Sequence, residues 1–214
     1  MDTLPQRLRD GYAMFRRGRL AAEQDRYREL AVRGQTPQTM VIGCCDSRVS
    51  PEVIFDVGPG ELFVVRNVAN LIPPYSPDNA YHGVSSALEY AVTVLGVQHI
   101  VVLGHARCGG VRAFADDAAG GEFIGKWISL LAPVAAVLSA QDEGRDSYLT
   151  RLEQASILTS LQNLRTFPFI RRRCESNTLA LHGAYFDVAS GELSALDGTG
   201  RRFVPVTPPS SSPQ

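Results

Sequence analysis

The sequence predicts an α/β fold: a mainly parallel central β-sheet flanked by helices, with an N-terminal helical arm. Three observations carry that prediction. Apolar runs rich in β-branched residues, Met40-Val41-Ile42-Gly43 and Ile100-Val101-Val102-Leu103-Gly104, recur along the chain. Stretches of helical periodicity lie between such runs, and that alternation argues for a parallel-centred sheet with helices on its faces. Each run also ends on a chemically distinctive cluster, Cys44-Cys45-Asp46-Ser47-Arg48 in one case and His105-Ala106-Arg107-Cys108 in the other. Open α/β sheets bind ligands in the crevice outside the carboxyl ends of their strands.

Taken in order, residues 4–33 form one or two amphipathic helices. Leu4, Leu8, Tyr12 and Phe15 fall on one helical face. Gly18 interrupts the run and Gly34 ends it. Strands follow at 39–44 and 62–68, a helix at 84–95 and a third strand at 99–104. Ala87, Leu88, Ala91, Val92 and Leu95 make that helix's buried stripe, with Gly96 as its cap. Gly109-Gly110 opens a helix over 110–116, so backbone N–H groups, Gly109 included, fall beside the second cluster. Further helices are expected at 123–140 and 147–165. A hairpin of 178–188 and 192–196 turns at Ser190-Gly191. The organisation is therefore an arm (1–34), one α/β domain (35–206) and a disordered tail (207–214) rich in Pro and Ser.

With 214 residues and 44% hydrophobic content, the chain can bury one substantial core. A formal net charge of −1 supplies no global field for nucleic acid. Apolar runs fall short of the ~18 residues of a membrane span. Arg7, Arg9, Asp10, Arg16 and Arg17 interrupt any signal-peptide core. Four cysteines, two of them adjacent, do not resemble a disulfide framework. A cytoplasmic protein is expected.

Cys44, His105 and Cys108 offer two thiolates and one imidazole, a donor set that suits zinc, and three protein ligands leave a fourth position open for catalysis. A water bound there loses its proton near neutral pH. Asp46 can accept a hydrogen bond from that water, or bind the metal and close the site. Arg48 can clamp Asp46 through a fork-like pair and keep it ionised. Two other readings stay open at this point: a structural zinc completed by Asp46, and metal-free redox thiols at Cys44, Cys45 and Cys108.

Cys-x-Asp-x-Arg, followed about sixty residues later by His-x-x-Cys-Gly-Gly, resembles the β-class carbonic anhydrases. The likeness extends from about Gly34 to Val111 and includes Gly60–Asn70, Glu89-Tyr90-Ala91 and Gly104-His105. It implies one zinc per chain, held by Cys44, His105 and Cys108, with Asp46 and Arg48 as the catalytic pair. It implies reversible hydration of carbon dioxide to bicarbonate and a proton by zinc-bound hydroxide. Gln35, Phe63, Val68 and Tyr90 match positions lining a narrow apolar pocket at a dimer interface, and Gly109 is placed with them as substrate-contacting. The resemblance further implies that some of these come from the neighbouring subunit and that the arm wraps that subunit in a homodimer or dimer of dimers. Some relatives carry an inhibitory bicarbonate site with Trp and Tyr where this chain has Val41 and Phe186, although Arg66 is kept. That difference, with Gln35, favours the plant-like subgroup. Hydrolysis of carbonyl sulfide or carbon disulfide on the same scaffold is the closest alternative, and a zinc- or thiol-based binding protein is the non-enzyme one.

Other residues read more plainly. Cys45 is expected to be a buried structural thiol, Cys174 inert, and Arg171–Arg173 a solvated or interface face. His99 and His182 read as strand-edge residues. His82, beside Gly83, has a pKa suited to moving protons, with its position left open.

Overall fold

A computed structural model describes residues 4–78, 80–118, 120–138 and 144–207. Two helices, α1 (Gln6–Arg17) and α2 (Arg19–Arg33), precede strand β1 (Thr39–Cys44). A short helix α3 (Pro51–Ile54) leads to β2 (Leu62–Asn67), then helix α4 (Gly83–Glu89) and β3 (His99–His105). Helices α5 (Gly109–Ala115), α6 (Ile124–Ile128), α7 (Ala132–Val137), α8 (Arg145–Leu164) and α9 (Pro168–Glu175) follow. Strands β4 (Ala180–Phe186), β5 (Leu193–Leu196) and β6 (Phe203–Pro205) complete the fold. The six strands among the described residues join one sheet in the order β2-β1-β3-β4-β5-β6. The first four are parallel, and β5 and β6 add an antiparallel edge.

β1 is apolar on both faces because both faces are covered, as parallel sheets require. Met40, Ile42, Ile100 and Val102 face a core with Leu88 and Val92 of the α4 segment, Ile157 and Leu164 of α8 and Ile170 of α9. Val41 and Leu103 point to the other face and pack with Ala184. Gly104 is needed where β3 meets α8, since a Cβ there would lie 2.6 Å from Ile157 Cδ1.

The expected helix over 84–95 starts as α4, then widens into a π turn over Tyr90–Val94, with Leu95 N–H bonding Tyr90 O at 3.0 Å. Gly96, at φ +70°, ends it. The single helix expected over 123–140 breaks into α6, a 3₁₀ turn at Ser129–Leu131 and α7, and its last two residues lie outside the described ones. Apart from Thr207, the expected tail also lies outside them.

No residue of α1 or α2 is buried. The two helices pair through Phe15 and Tyr27, whose rings meet edge to face at 6.1 Å. The arm reaches the body through Arg19 and Arg26, which donate to the Val57 and Pro59 carbonyls. Leu8 and Tyr12 remain 58% and 60% exposed, so the apolar face of α1 finds no cover among the described residues. No helix among the described residues is long and apolar enough to cross a membrane.

Candidate metal centre and active site

The parallel register brings the two clusters together. β1 and β3 are neighbours, with Gly43 opposite Leu103, so Cys44 and His105 emerge at the same sheet edge. Arg107 then adopts φ +58°, a left-handed turn that brings Cys108 back toward His105. The ligating atoms of Cys44, His105 and Cys108 lie within 4.8 Å of one another, and all three residues are buried. The two sulfurs are 4.0 Å apart.

His105 shows which nitrogen faces the group. Nδ1 donates to the Ala106 carbonyl at 2.9 Å, which leaves Nε2 as the bare nitrogen. Nε2 is buried with no hydrogen-bond partner, as expected of an atom that ligates a metal. The Cys44 thiol is lowered to about 4, chiefly by its hydrogen bond with Cys108, against the opposing effect of burial. That same bond, with burial, pushes Cys108 up, so the pair holds one proton between two sulfurs. Burial opposes charge on His105, but the Cys44 thiolate outweighs it and raises its pKa. Two thiolate-capable sulfurs and an orphaned imidazole nitrogen fit zinc.

Asp46 stands beside this group and is held off it. Arg48 grips both its oxygens, Nε on Oδ1 at 2.9 Å and Nη2 on Oδ2 at 2.7 Å. The Arg48 backbone N–H also donates to Oδ1, and Nη2 reaches the Arg107 carbonyl at 3.0 Å. This clamp, above all the Arg48 side chain, holds the Asp46 carboxyl well below the usual carboxylate range. Oδ2 lies 4.0 Å from His105 Nε2, too far for a hydrogen bond. Arg66 fixes the strand end by donating to the Cys44 and Asp46 carbonyls at 2.8 and 2.7 Å. With Asp46 clamped, its carboxylate stands beside a metal held by Cys44, His105 and Cys108 and would be free to accept a hydrogen bond from a water there.

Five further residues divide in two. Val68 packs against the cluster that contains Cys44 and Cys108, and Gly110, beside Gly109, passes so close that a Cβ there would meet Val68 Cγ1 at 2.8 Å. Val68 and Gly109 therefore belong to the metal side. Phe63 pairs with Met40, four residues (~13 Å) back along the strands from Asn67 and Cys44. Its ring meets that of Tyr90 in a tilted contact, centroids 5.9 Å apart, and Gln35 is exposed ahead of β1. The single chain does not bring Gln35, Phe63 and Tyr90 to its own metal group.

Cys45 departs from expectation, being exposed. It lies just past the end of β1, and its side chain lines an open apolar cavity with Val68, Tyr81 and Trp127. Arg173 is no solvated residue either, since it donates to the Val92 and Thr178 carbonyls and ties α9 to the sheet edge.

Sequence reasoning missed Glu153 altogether. It is 4% exposed on α8, accepts the Cys108 N–H at 2.9 Å and accepts the Tyr185 hydroxyl at 2.6 Å. Burial pushes its carboxyl up and the Tyr185 hydroxyl up as well. A signal existed: an acid within the helical stripe Leu149, Leu152, Ser156, Ile157 and Ser160 must face inward.

An α/β sheet with a buried Cys₂His group at its carboxyl edge, open beside a clamped carboxylate, defines a zinc enzyme. The chain belongs to the carbonic anhydrase family, whose sequence model matches residues 39–193. A carbonic anhydrase of Pseudomonas aeruginosa is 40% identical over 91% of this chain and 89% of its own length. The structure of the β-carbonic anhydrase CcaA superimposes with a TM-score of 0.85 at 33% identity, covering 95% of this chain and 92% of that one. A structure from a study of two tetrameric β-carbonic anhydrases of Sordaria macrospora gives a TM-score of 0.74 at 30% identity, over 87% and 95% of the two chains.

Proposed function

We infer that this protein is a zinc-dependent carbonic anhydrase of the β class that reversibly hydrates carbon dioxide to bicarbonate and a proton. The observation that carries the reading is Asp46 held ionised by Arg48 beside, and not within, the Cys44–His105–Cys108 group. A purely structural zinc would have no use for that clamp. Zinc held by the three residues would acidify a water and supply the nucleophile near neutral pH. The chain's own residues do the rest. Arg48 orients Asp46, and Asp46, kept anionic, accepts a hydrogen bond from the reacting water and aims its remaining lone pair. Gly109 and Val68 form the near wall, where small backbone and apolar side chain exclude bulk water.

The other wall comes from a second copy of the chain. Phe63 sits ~13 Å along the strands from this chain's own metal group, with Tyr90 beside it and Gln35 ahead of β1, so a two-fold partner would present these residues to it. There the Gln35 amide would donate to a substrate oxygen, and Phe63 and Tyr90 would close the pocket. The uncovered face of α1 supports the same dimer, with residues 1–34 as the arm and 35–206 as the catalytic domain. The tetrameric relatives support pairing of such dimers. Val41 and Phe186 in place of Trp and Tyr keep the plant-like assignment, without the inhibitory site. Four unpaired cysteines support action in the cytoplasm.

Stopped-flow assay of one zinc-loaded preparation against carbon dioxide, carbonyl sulfide and carbon disulfide tests the reading. Fast turnover of carbon dioxide alone is expected. Turnover of a sulfur substrate without carbon dioxide hydration would overturn it.

A further inference from the structure

Hydration releases a proton that must leave a water-excluding pocket, and none of the residues described above carries it out. We propose that His82 is the proton relay, a role that rests on the hydratase reading. Two cavities meet at this side chain. One, of about 780 Å³, is mostly apolar and lined by Cys45, Asn67, Val68, Tyr81 and Trp127. Its lining comes within one residue of the metal group: Cys45 follows Cys44, Asn67 pairs with Cys44 in the sheet, and Val68 packs against the apolar cluster that contains Cys44 and Cys108. The other, of about 350 Å³, is lined by Tyr75, Asp78, Ser85, Ser86 and Glu89. Among the described residues, His82 alone lines both.

The ring is held for this work. Its Nε2 lies 2.6 Å from Asp78 Oδ1, and that oxygen is fixed in turn by the Ala80 N–H at 2.7 Å. A carboxylate only accepts, so Nε2 carries the hydrogen and Nδ1 is left as the basic nitrogen. Nδ1 takes the proton, through water, from the apolar cavity. The resulting imidazolium keeps its Nε2–H on Asp78 and yields the Nδ1 proton to buffer base at the polar cavity. The ring then returns to neutral, and the proton released by hydration appears on the buffer. The charged and titratable groups around the ring are Asp78 and Glu89 on the polar side, with Glu122, Lys126 and Tyr81 on the apolar side. His82 precedes α4 and makes no side-chain cap bond to it, so its replacement leaves the helix start intact.

The experiment uses zinc-loaded full-length His82→Ala and His82→Gln in dilute buffer. The expected result for both is kcat down about tenfold or more, kcat/KM unchanged, and kcat restored by added imidazole. Oxygen-18 exchange should show slowed release of labelled water with unchanged interconversion of carbon dioxide and bicarbonate. An active wild type with kcat unaffected in both variants would overturn the relay, as would parallel loss of kcat and kcat/KM without imidazole rescue. A wild type that does not hydrate carbon dioxide would overturn the hydratase reading, and the relay with it.

Discussion

Glu153 supports the metal centre from behind, and removing it should have a cost that can be worked from its contacts. In Glu153→Ala the Cys108 N–H and the Tyr185 hydroxyl both lose their acceptor, and the two residues are only 2% and 8% exposed. A buried donor left unsatisfied costs about 1–3 kcal/mol. Burying the carboxyl is itself unfavourable, as its raised pKa shows, and its removal returns part of that sum. The net expectation is a loss of about 2–4 kcal/mol. Glu153→Gln should cost about 1 kcal/mol or less, because the amide oxygen still accepts from Cys108 and the Tyr185 hydroxyl rotates to accept from the amide. Urea unfolding of metal-free protein, reduced and at one fixed concentration, measures both. Zinc affinity should also fall about 10–100-fold in Glu153→Ala, as Cys108 loses its anchor. Glu153→Ala within about 0.5 kcal/mol of wild type would refute the reasoning. So would equal damage from Ala and Gln, which would make charge, and not acceptor geometry, the operative property.

The remaining predictions concern the clamp, the metal and the arm. Arg48→Ala should lower hydration about 10–100-fold with zinc retained, checked by metal analysis beside turnover; zinc lost in step with activity would make Arg48 structural. In the metal-free protein Cys44 is already the thiolate while Cys108 and His105 are pushed toward their protonated forms. Zinc must displace those protons, so its affinity should rise with pH, about tenfold per unit for each proton released. Zinc titrations across a pH series check this, and a flat profile would contradict it. Leu8→Asp with Tyr12→Asp should weaken the dimer in sedimentation while each chain stays folded; an unchanged sedimentation coefficient would place the apolar face of α1 outside the interface.

What could be read from the sequence was whatever depends on local pattern. β1, β2 and β3 were located within a residue or two, because β-branched runs bounded by Gly and polar clusters are strong strand signals. Cys44, His105 and Cys108 could be grouped because each followed the end of a predicted strand. Arg48 on Asp46 was likewise legible from a spacing of two. Less visible were elements too short for a periodic signal: α3, β6 and α9, whose Pro168 start was hidden beside the basic run Arg171–Arg173. Glu153 escaped because its partners, Cys108 and Tyr185, are 45 and 32 residues away and meet it only in the packed fold. Cys45 was misread for a related reason. Strand alternation gives the direction of its side chain, but whether that direction is covered depends on Tyr81 and Trp127, which leave the cavity open.

The central claim is that turnover belongs to zinc at Cys44, His105 and Cys108. Its most direct test strips the protein of metal, returns zinc in substoichiometric steps and follows carbon dioxide hydration by stopped flow at mildly alkaline pH. Activity should rise linearly and stop at one zinc per chain, and Cys108→Ser should show neither the uptake nor the activity. Full occupancy at that stoichiometry without hydration would contradict the account.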